Sequence, residues 1–386
     1  MKRLTAILFC LVLFGFGIWF WFLPDKTISR EENRPLQSLP KLTLSRLASG
    51  KFSSELSTYY ADQFPLRDSF VGAKALAEIA LGKGENNGIL LGESGQLARR
   101  LLRLAPSYGD LSSATDAYDP ETLSQKTAAI ANLAKGIGIP TAVLLPARAL
   151  DVASSAFSYP KEGSEKLLAQ LQRELAGVRY GDLNERLKLA YDRGEEVWYK
   201  TDHHWTTLGA YYAYRQVMIS FGLEEEILPL SSFERSTVSE SFYGTLYSAS
   251  GMKFVDPDRV ELFLSGREDD YLVIADGKEL LGLYTLDALF GKDHYSIFLD
   301  GTHDCVTVTR KDGEARPILL VFKDSFANSL APFLAEHFDL VLLNLSSARI
   351  DFDDPAALVE QYGASRLLLV WSVENLLTSD KLPRLS

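Results

Sequence analysis

Hydrophobic and polar positions divide the chain into a short apolar start and a long alternating remainder. Leu4 to Leu23 is an uncharged run of 20 residues rich in Leu, Phe, Ile and Trp, preceded by Met1-Lys2-Arg3. At about 1.5 Å per helical residue, such a run spans the roughly 30 Å hydrocarbon core of a bilayer. The basic pair predicts a cytoplasmic N-terminus and places everything after Pro24 outside. Trp19, Phe20, Trp21 and Phe22 close the run where a cleavage site would need small residues. The pattern therefore predicts an uncleaved, single-pass signal anchor over residues 1–24, in preference to a cleaved signal peptide.

Residues 25–85 read as a juxtamembrane linker followed by helices. Pro35 and Pro40 punctuate the linker, and helical stretches are expected at about Ser53–Asp62 and Arg67–Ala80, split by Phe64-Pro65. From residue 86 onward a single catalytic domain is expected. Ile89-Leu90-Leu91 is a short strand candidate. Asp119 caps a helix with Pro120 at its first position, running to Gly136. Ile139–Leu145 is a buried-strand run, and helices follow at about Gly163–Ala176 and Asn184–Arg193. Val197-Trp198-Tyr199 reads as a short strand, and Thr206 or Thr207 caps a helix ending at Phe221. Residues 222–315 break the rhythm, being rich in Gly, Asp and Ser with short β-like runs such as 271–274 and 305–309. They are expected to form an inserted β-rich region or extended loops. Alternation resumes with strands at Ile318–Phe322, Leu340–Leu343 and Leu367–Val370, and helices at Ser325–His337 and Pro355–Tyr362. Helix alternating with strand predicts an α/β domain with a largely parallel sheet.

Composition narrows the function classes. The 51 acidic and 40 basic side chains give a formal charge of −11, which offers no attraction to phosphate backbones, so nucleic acid is not an expected partner. Cys10 and Cys305 are the only cysteines, too few and too far apart for a disulfide framework or a thiolate zinc site. No cofactor is expected.

The candidate chemistry lies in Thr201-Asp202-His203-His204-Trp205. Only five histidines occur in the chain, and two are adjacent here. Asp202 and His204 are two apart, so in an extended loop they project from the same side. One carboxylate could then orient an imidazole whose far nitrogen takes a proton from a nucleophile. Two similar tripeptides could supply that nucleophile. Asp324-Ser325-Phe326 ends an apolar strand and opens a helix, whereas Asp68-Ser69-Phe70 lies inside a helical stretch with no strand before it. Ser325 is therefore preferred. An isolated Asp-Ser before a helix is more often only an N-cap. Asp and His are also good zinc or iron ligands, with His294 and His303 as supplements, so catalysis and metal binding stand close on residue chemistry alone.

The run from Trp198 to Thr206 resembles the signature of the DHHW family, which is similar to AlgJ/AlgX-type alginate O-acetylation proteins. Glu32-Asn33-Arg34-Pro35, the segment Asp62–Asp68, Gly244-Thr245-Leu246-Tyr247 with Ser250-Gly251, and Lys323-Asp324-Ser325-Phe326 resemble further motifs of that family. The resemblance implies an SGNH-hydrolase-like three-layer fold, with Ser325 as nucleophile, His204 as base and Asp202 as its orienting carboxylate, and it disfavours a metal. It implies O-acetyl transfer to an exported or cell-surface polysaccharide, with a membrane-bound O-acyltransferase delivering the acetyl group. A carbohydrate acetylesterase using the same residues, or a non-catalytic polysaccharide-binding protein, are the alternatives. Two departures stand out. Lys323 occupies the place of the Gly in Gly-Asp-Ser, and no counterpart of the usual oxyanion Asn is evident. Asn328, Asn344, Asn375, Arg349 and the Phe326 backbone N–H are the candidates for that task.

Overall fold

The computed structural model describes residues 2–29, 31–100, 118–158, 162–181, 183–379 and 382. The chain divides into two compact units, one of residues 1–87 and 247–255, the other of residues 88–246 and 256–386.

In the first unit, helix α1 (Lys2–Phe22) carries the apolar run and is long and apolar enough to cross a membrane. Helices α2 (Leu44–Ala48), α3 (Lys51–Asp62) and α4 (Arg67–Ala80) follow. Leu66, at the start of α4, takes a left-handed backbone with φ 57°, a conformation that costs a leucine about 1–2 kcal/mol. Two of the segments that carried the family resemblance meet here. Buried Asp62 accepts from Arg34 Nη1 and Nη2 at 3.0 and 2.6 Å and from the Gln37 N–H at 2.8 Å. Glu32 in turn accepts from Arg34 and Arg67, both at 2.7 Å. Burial would raise the Glu32 carboxyl, but the two guanidiniums hold it below its ordinary value. Tyr247–Val255 returns to this unit, where Asn86 donates to the Ser250 carbonyl at 2.7 Å.

The second unit is built on one large sheet. Five parallel strands form its body: β11 (Asp339–Asn344), β10 (Ile318–Lys323), β12 (Arg366–Val370), β3 (Thr141–Leu144) and β4 (Arg179–Tyr180), in that order. Alternation within the strands explains the layers. Leu319, Val321, Leu340, Leu342, Leu368 and Val370 face one core, and Leu320, Phe322, Val341, Leu343, Leu367 and Leu369 face the other. Helices α8 (Leu183–Asp192), α9 (Thr207–Phe221) and α11 (Phe326–Ala335) cover the first face; α5 (Pro120–Gly136), α7 (Glu162–Glu174) and α12 (Pro355–Tyr362) cover the second. This is the expected three-layer α/β fold with a largely parallel sheet. Residues 222–315 contribute a hairpin, β5 (Glu234–Phe242) with β6 (Asp258–Leu264). They also add β7 (Tyr271–Ala275), β8 (Lys278–Glu279) and β9 (Cys305–Arg310), which extend the main sheet antiparallel beyond β11.

Residues 197–199 differ from the expected strand. They form no ladder; Trp198 makes only an isolated antiparallel bridge to Trp205. The Tyr199 N–H donates to the His204 carbonyl at 3.2 Å and the Thr206 N–H to the Val197 carbonyl at 3.1 Å. These groups are satisfied within the loop, and the Tyr199 and Lys200 carbonyls accept from Gln96 Nε2 at 3.0 Å and the Leu97 N–H at 2.8 Å, so no neighbouring ladder is needed.

Candidate active site

The Asp-His-His-Trp segment is a pinched loop held from three sides. At its end Thr206 caps α9, its hydroxyl accepting from the Gly209 N–H at 3.2 Å. Gly209 packs so close to the loop that a Cβ there would lie 2.2 Å from the Val197 carbonyl oxygen and 2.7 Å from the Trp205 Cβ. At its start, buried Asp258 accepts from the N–H groups of Lys200 and Thr201 at 2.8 and 2.7 Å. Burial pushes Asp258 up to about 6 against these donors. Trp205 Nε1 reaches over to α11, donating to Ser329 Oγ at 2.8 Å.

Inside this frame the predicted residues are brought together. His204 Nδ1 lies 2.6 Å from Asp202 Oδ1, and its Nε2 lies 2.7 Å from Ser325 Oγ. Asp202 is fully satisfied: Oδ1 also accepts from the His204 N–H at 3.0 Å, and Oδ2 accepts from the Thr245 N–H and Oγ1 at 2.7 and 3.0 Å. Burial by itself would raise this carboxyl, but His203, His204 and these donors hold it well below the usual carboxylate range. An ionised Asp202 can only accept, so the His204 proton sits on Nδ1 and Nε2 is the acceptor for the Ser325 hydroxyl. Ser325 occupies the N-cap position of α11 yet makes no side-chain capping bond. Its hydroxyl is committed to His204 instead, which removes the plain capping reading.

The stretch that carries both halves of this constellation, residues 182–344, matches a protein-family model described as DHHW protein. The match is to the DHHW family. A DHHW family protein from Eubacterium siraeum DSM 15702 shares the fold, with TM-score 0.56 and 19% identity over 76% of this chain and 97% of that one. Bacillus cereus PatB1 does so as well. Its structure with a sulfonyl adduct aligns with TM-score 0.58 and 17% identity over 76% of this chain and 97% of that one. The O-acetyltransferase domain of Pseudomonas putida AlgJ aligns more loosely, at TM-score 0.46 and 15% identity, over 76% of this chain and 93% of that one. No curated protein is similar to the chain in sequence.

Around the DHHW loop, the departures noted in the sequence have structural answers. Lys323, Asp324 and Ser325 all keep negative φ, so the turn needs no glycine. The Lys323 ammonium is buried, donates to Asn328 Oδ1 at 2.7 Å, and is pushed down to about 8 by desolvation. Asp324 ties the turn to the sheet edge, accepting from the Phe326 N–H at 3.1 Å, the Ser372 N–H at 2.7 Å and Asn375 Nδ2 at 2.8 Å. The proposed oxyanion helpers are thereby engaged elsewhere. The Phe326 N–H and Asn375 serve Asp324, and Asn328 bridges Lys323 and the Gly301 carbonyl. Asn344 Oδ1 accepts from the Ser346 N–H, and exposed Arg349 pairs with Asp304. The Ser325 backbone N–H has no partner among the described residues, which leaves it as the donor beside the hydroxyl.

One functional neighbour, Tyr295, carried no signal in the sequence, and a second, Gly244, stood there only within a motif of the family resemblance. Tyr295 stacks flat on His204, centroids 3.8 Å apart at 8°, and its hydroxyl donates to the Ser325 carbonyl at 3.1 Å. Its phenol is raised by burial, so it stays a neutral donor. Gly244 leaves no room for a Cβ, which would meet Asp202 Cβ at 2.3 Å.

The other candidates fall outside this arrangement. Ser69 is exposed on α4 of the first unit. His294 bonds Ser239 at 2.8 Å, and His303 faces Asp276 at 3.3 Å. His203 keeps a third of its side chain exposed, bonds Thr245 Oγ1 through Nδ1 at 2.7 Å, and is held neutral by desolvation and by His204. Asp202, His203 and His204 offer ligand atoms within 4.8 Å of one another. Both His204 nitrogens and both Asp202 oxygens are already bonded, however, so a metal there would have to displace Ser325 or Thr245.

Proposed function

We propose that this protein is an extracytoplasmic acyltransferase that moves an acetyl group onto an exported or cell-surface polysaccharide through Ser325. The observation that carries the reading is the continuous line from Asp202 through His204 to Ser325 Oγ, with contacts of 2.6 and 2.7 Å. In the first half-reaction Ser325 Oγ attacks the acetyl carbonyl while His204 Nε2 takes the hydroxyl proton. The charged imidazole is stabilised by ionised Asp202 and then protonates the leaving group. In the second, a sugar hydroxyl gives its proton to His204 and attacks the acetyl-Ser325 ester, and the serine is regenerated. The Ser325 N–H, at the head of α11, faces the oxygen on which negative charge builds.

The DHHW match over residues 182–344 and the fold shared with PatB1 support the reading. The apolar α1 supports attachment to a membrane with the second unit outside. Acetyl donors of the cytoplasm do not reach that side, so a membrane-bound O-acyltransferase is the partner proposed to deliver the group.

The test uses the full chain in detergent with an acetyl ester, with and without an oligosaccharide acceptor. Acetylated oligosaccharide is the expected product, lost in Ser325→Ala. Release of acetate alone, equal in both conditions, would make the protein an acetylesterase with the same three residues. Absence of both activities, together with no labelling of Ser325 by a sulfonyl fluoride, would sink the catalytic reading.

A further inference from the structure

Helix α1 does not stand free of the rest of its unit. Among its described side chains only Phe16 and Phe20 are half-buried; the others are exposed. Four residues apart, these two share one helix face. Phe16 stacks on Phe64 with centroids 5.5 Å apart at 6°, and meets Phe70 at 5.8 Å. Phe20 meets Tyr60 at 5.2 Å and Tyr59 at 5.8 Å. The corner between α3 and α4 is thus seated on the spanning helix itself.

The depth of that contact matters. Phe16 lies six positions before Phe22, the end of α1, which is about 9 Å along the helix axis. If residues 3–22 fill the roughly 30 Å hydrocarbon layer, Phe16 lies well inside its outer boundary. Any side chain packed flat against Phe16 lies inside it too. The corner has the surface for this position. Tyr60, Phe64, Leu66 and Phe70 are each 42–52% exposed, and Leu39, Leu42, Leu44 and Leu47 extend the apolar rim over the linker and α2 at 53–87%. Leu66 adds an independent sign. It holds a left-handed backbone that glycine or asparagine would adopt more readily, and it presents an aliphatic side chain at the tip of the corner.

We infer that the α3–α4 corner is a membrane-inserted foot: Phe64, Leu66 and Phe70 enter the outer-leaflet acyl region beside α1. The occupant of this apolar face is lipid. Aromatic and aliphatic groups gain by leaving water for that layer, and the rings suit the boundary zone. The inference rests on the reading of α1 as membrane-spanning.

The test uses the full chain, with Cys10→Ser and Cys305→Ser, reconstituted in vesicles of pure phospholipid. Single nitroxide labels are placed at Phe64→Cys, Leu66→Cys and Phe70→Cys, with Phe14→Cys in α1 and Leu281→Cys in the second unit as references. Leu66 makes no ring contact with α1, so its label reads the corner with the Phe16 contacts to Phe64 and Phe70 intact. The readout is the accessibility of each label to oxygen relative to a nickel chelate. The expected ratio at 64, 66 and 70 is several-fold above that at 281 and close to that at 14. A ratio at 64, 66 and 70 equal to that at 281, with 14 still oxygen-rich, overturns the foot and leaves the anchor standing. An aqueous ratio at 14 overturns both.

Discussion

Side chains two residues apart can serve one reaction only if the backbone between them is held rigid, and the loop at 202–205 shows how. Asp202 is fixed by four hydrogen bonds, two of them from Thr245, and Gly244 lies against its Cβ. Gly244→Ala would force the carboxylate away from its place. The added Cβ would lie 2.3 Å from Asp202 Cβ, 2.5 Å from its Oδ2 and 2.7 Å from its Cα, so that the backbone and not only the side-chain tip is in the way. A displacement of about 1 Å at a catalytic group can cost roughly 100-fold in rate. The variant is therefore expected to lose about that factor in acetyl-ester turnover while its far-UV circular dichroism is retained. Wild-type turnover would show that the contact does not set the position of Asp202. At this scale Asp202 and His204 stood out in the sequence, because histidine is rare in the chain and their spacing is local. Ser325, 121 positions from His204, lay in one of two similar tripeptides and was preferred on its strand-to-helix setting and the family resemblance. The sequence could not disclose Tyr295, one of 17 tyrosines, whose meaning comes entirely from a ring placed over His204 by a fold 91 positions away from it.

Elements with strong local signals were readable to the residue. Helix α5 begins at Pro120 behind its Asp119 cap, α4 runs from Arg67 to Ala80, and α12 from Pro355 to Tyr362. The starts of α5 and α12 are written in a capping Asp followed by Pro, and the ends of α4 are marked by Pro65 and Gly82, each two positions away. Pairing was not readable. The strand character of 271–274 shows as alternation, but its antiparallel place beside β9 at the edge of a parallel sheet is a non-local choice. Strand β10 carries the least expected residue, Lys323, at a position where burial is nearly complete. Its folded-state value near 8 lies below the 10.5 of the unfolded chain, so the folded protein gives up this proton first. Stability is therefore lowest below about pH 8 and rises as pH climbs from about 8 to about 10.5. The gain is on the order of 3 kcal/mol from this group alone. Lys323→Met is expected to flatten that rise, read as the urea midpoint of the full chain in detergent between pH 7 and 10.5. An unchanged slope would mean that the ammonium is relieved by relaxation of its surroundings.

For the whole molecule, charge and hydrophobicity make separate contributions. The balance of 40 basic and 51 acidic side chains gives −11, which repels rather than attracts an anionic lipid surface. The membrane attachment proposed above would then rest on apolar burial. Cell membranes washed with 1 M salt and then with alkaline carbonate are expected to retain the protein, and detergent to release it; extraction by salt would mean an electrostatic attachment. The sheet order carries a further consequence, for how the protein is made. Strand β3, at residues 141–144, pairs with β4 on one side and on the other with β12, at residues 366–370. The central strand β10 likewise lies between two strands that are synthesised after it. A nascent chain cannot close its sheet until Arg366–Val370 has emerged, and before then β3 and β10 present open apolar edges. The half-made protein is therefore the form most exposed to proteases and to self-association. A stop codon placed just before Arg366 would remove a strand from the middle of the sheet, not a dispensable tail.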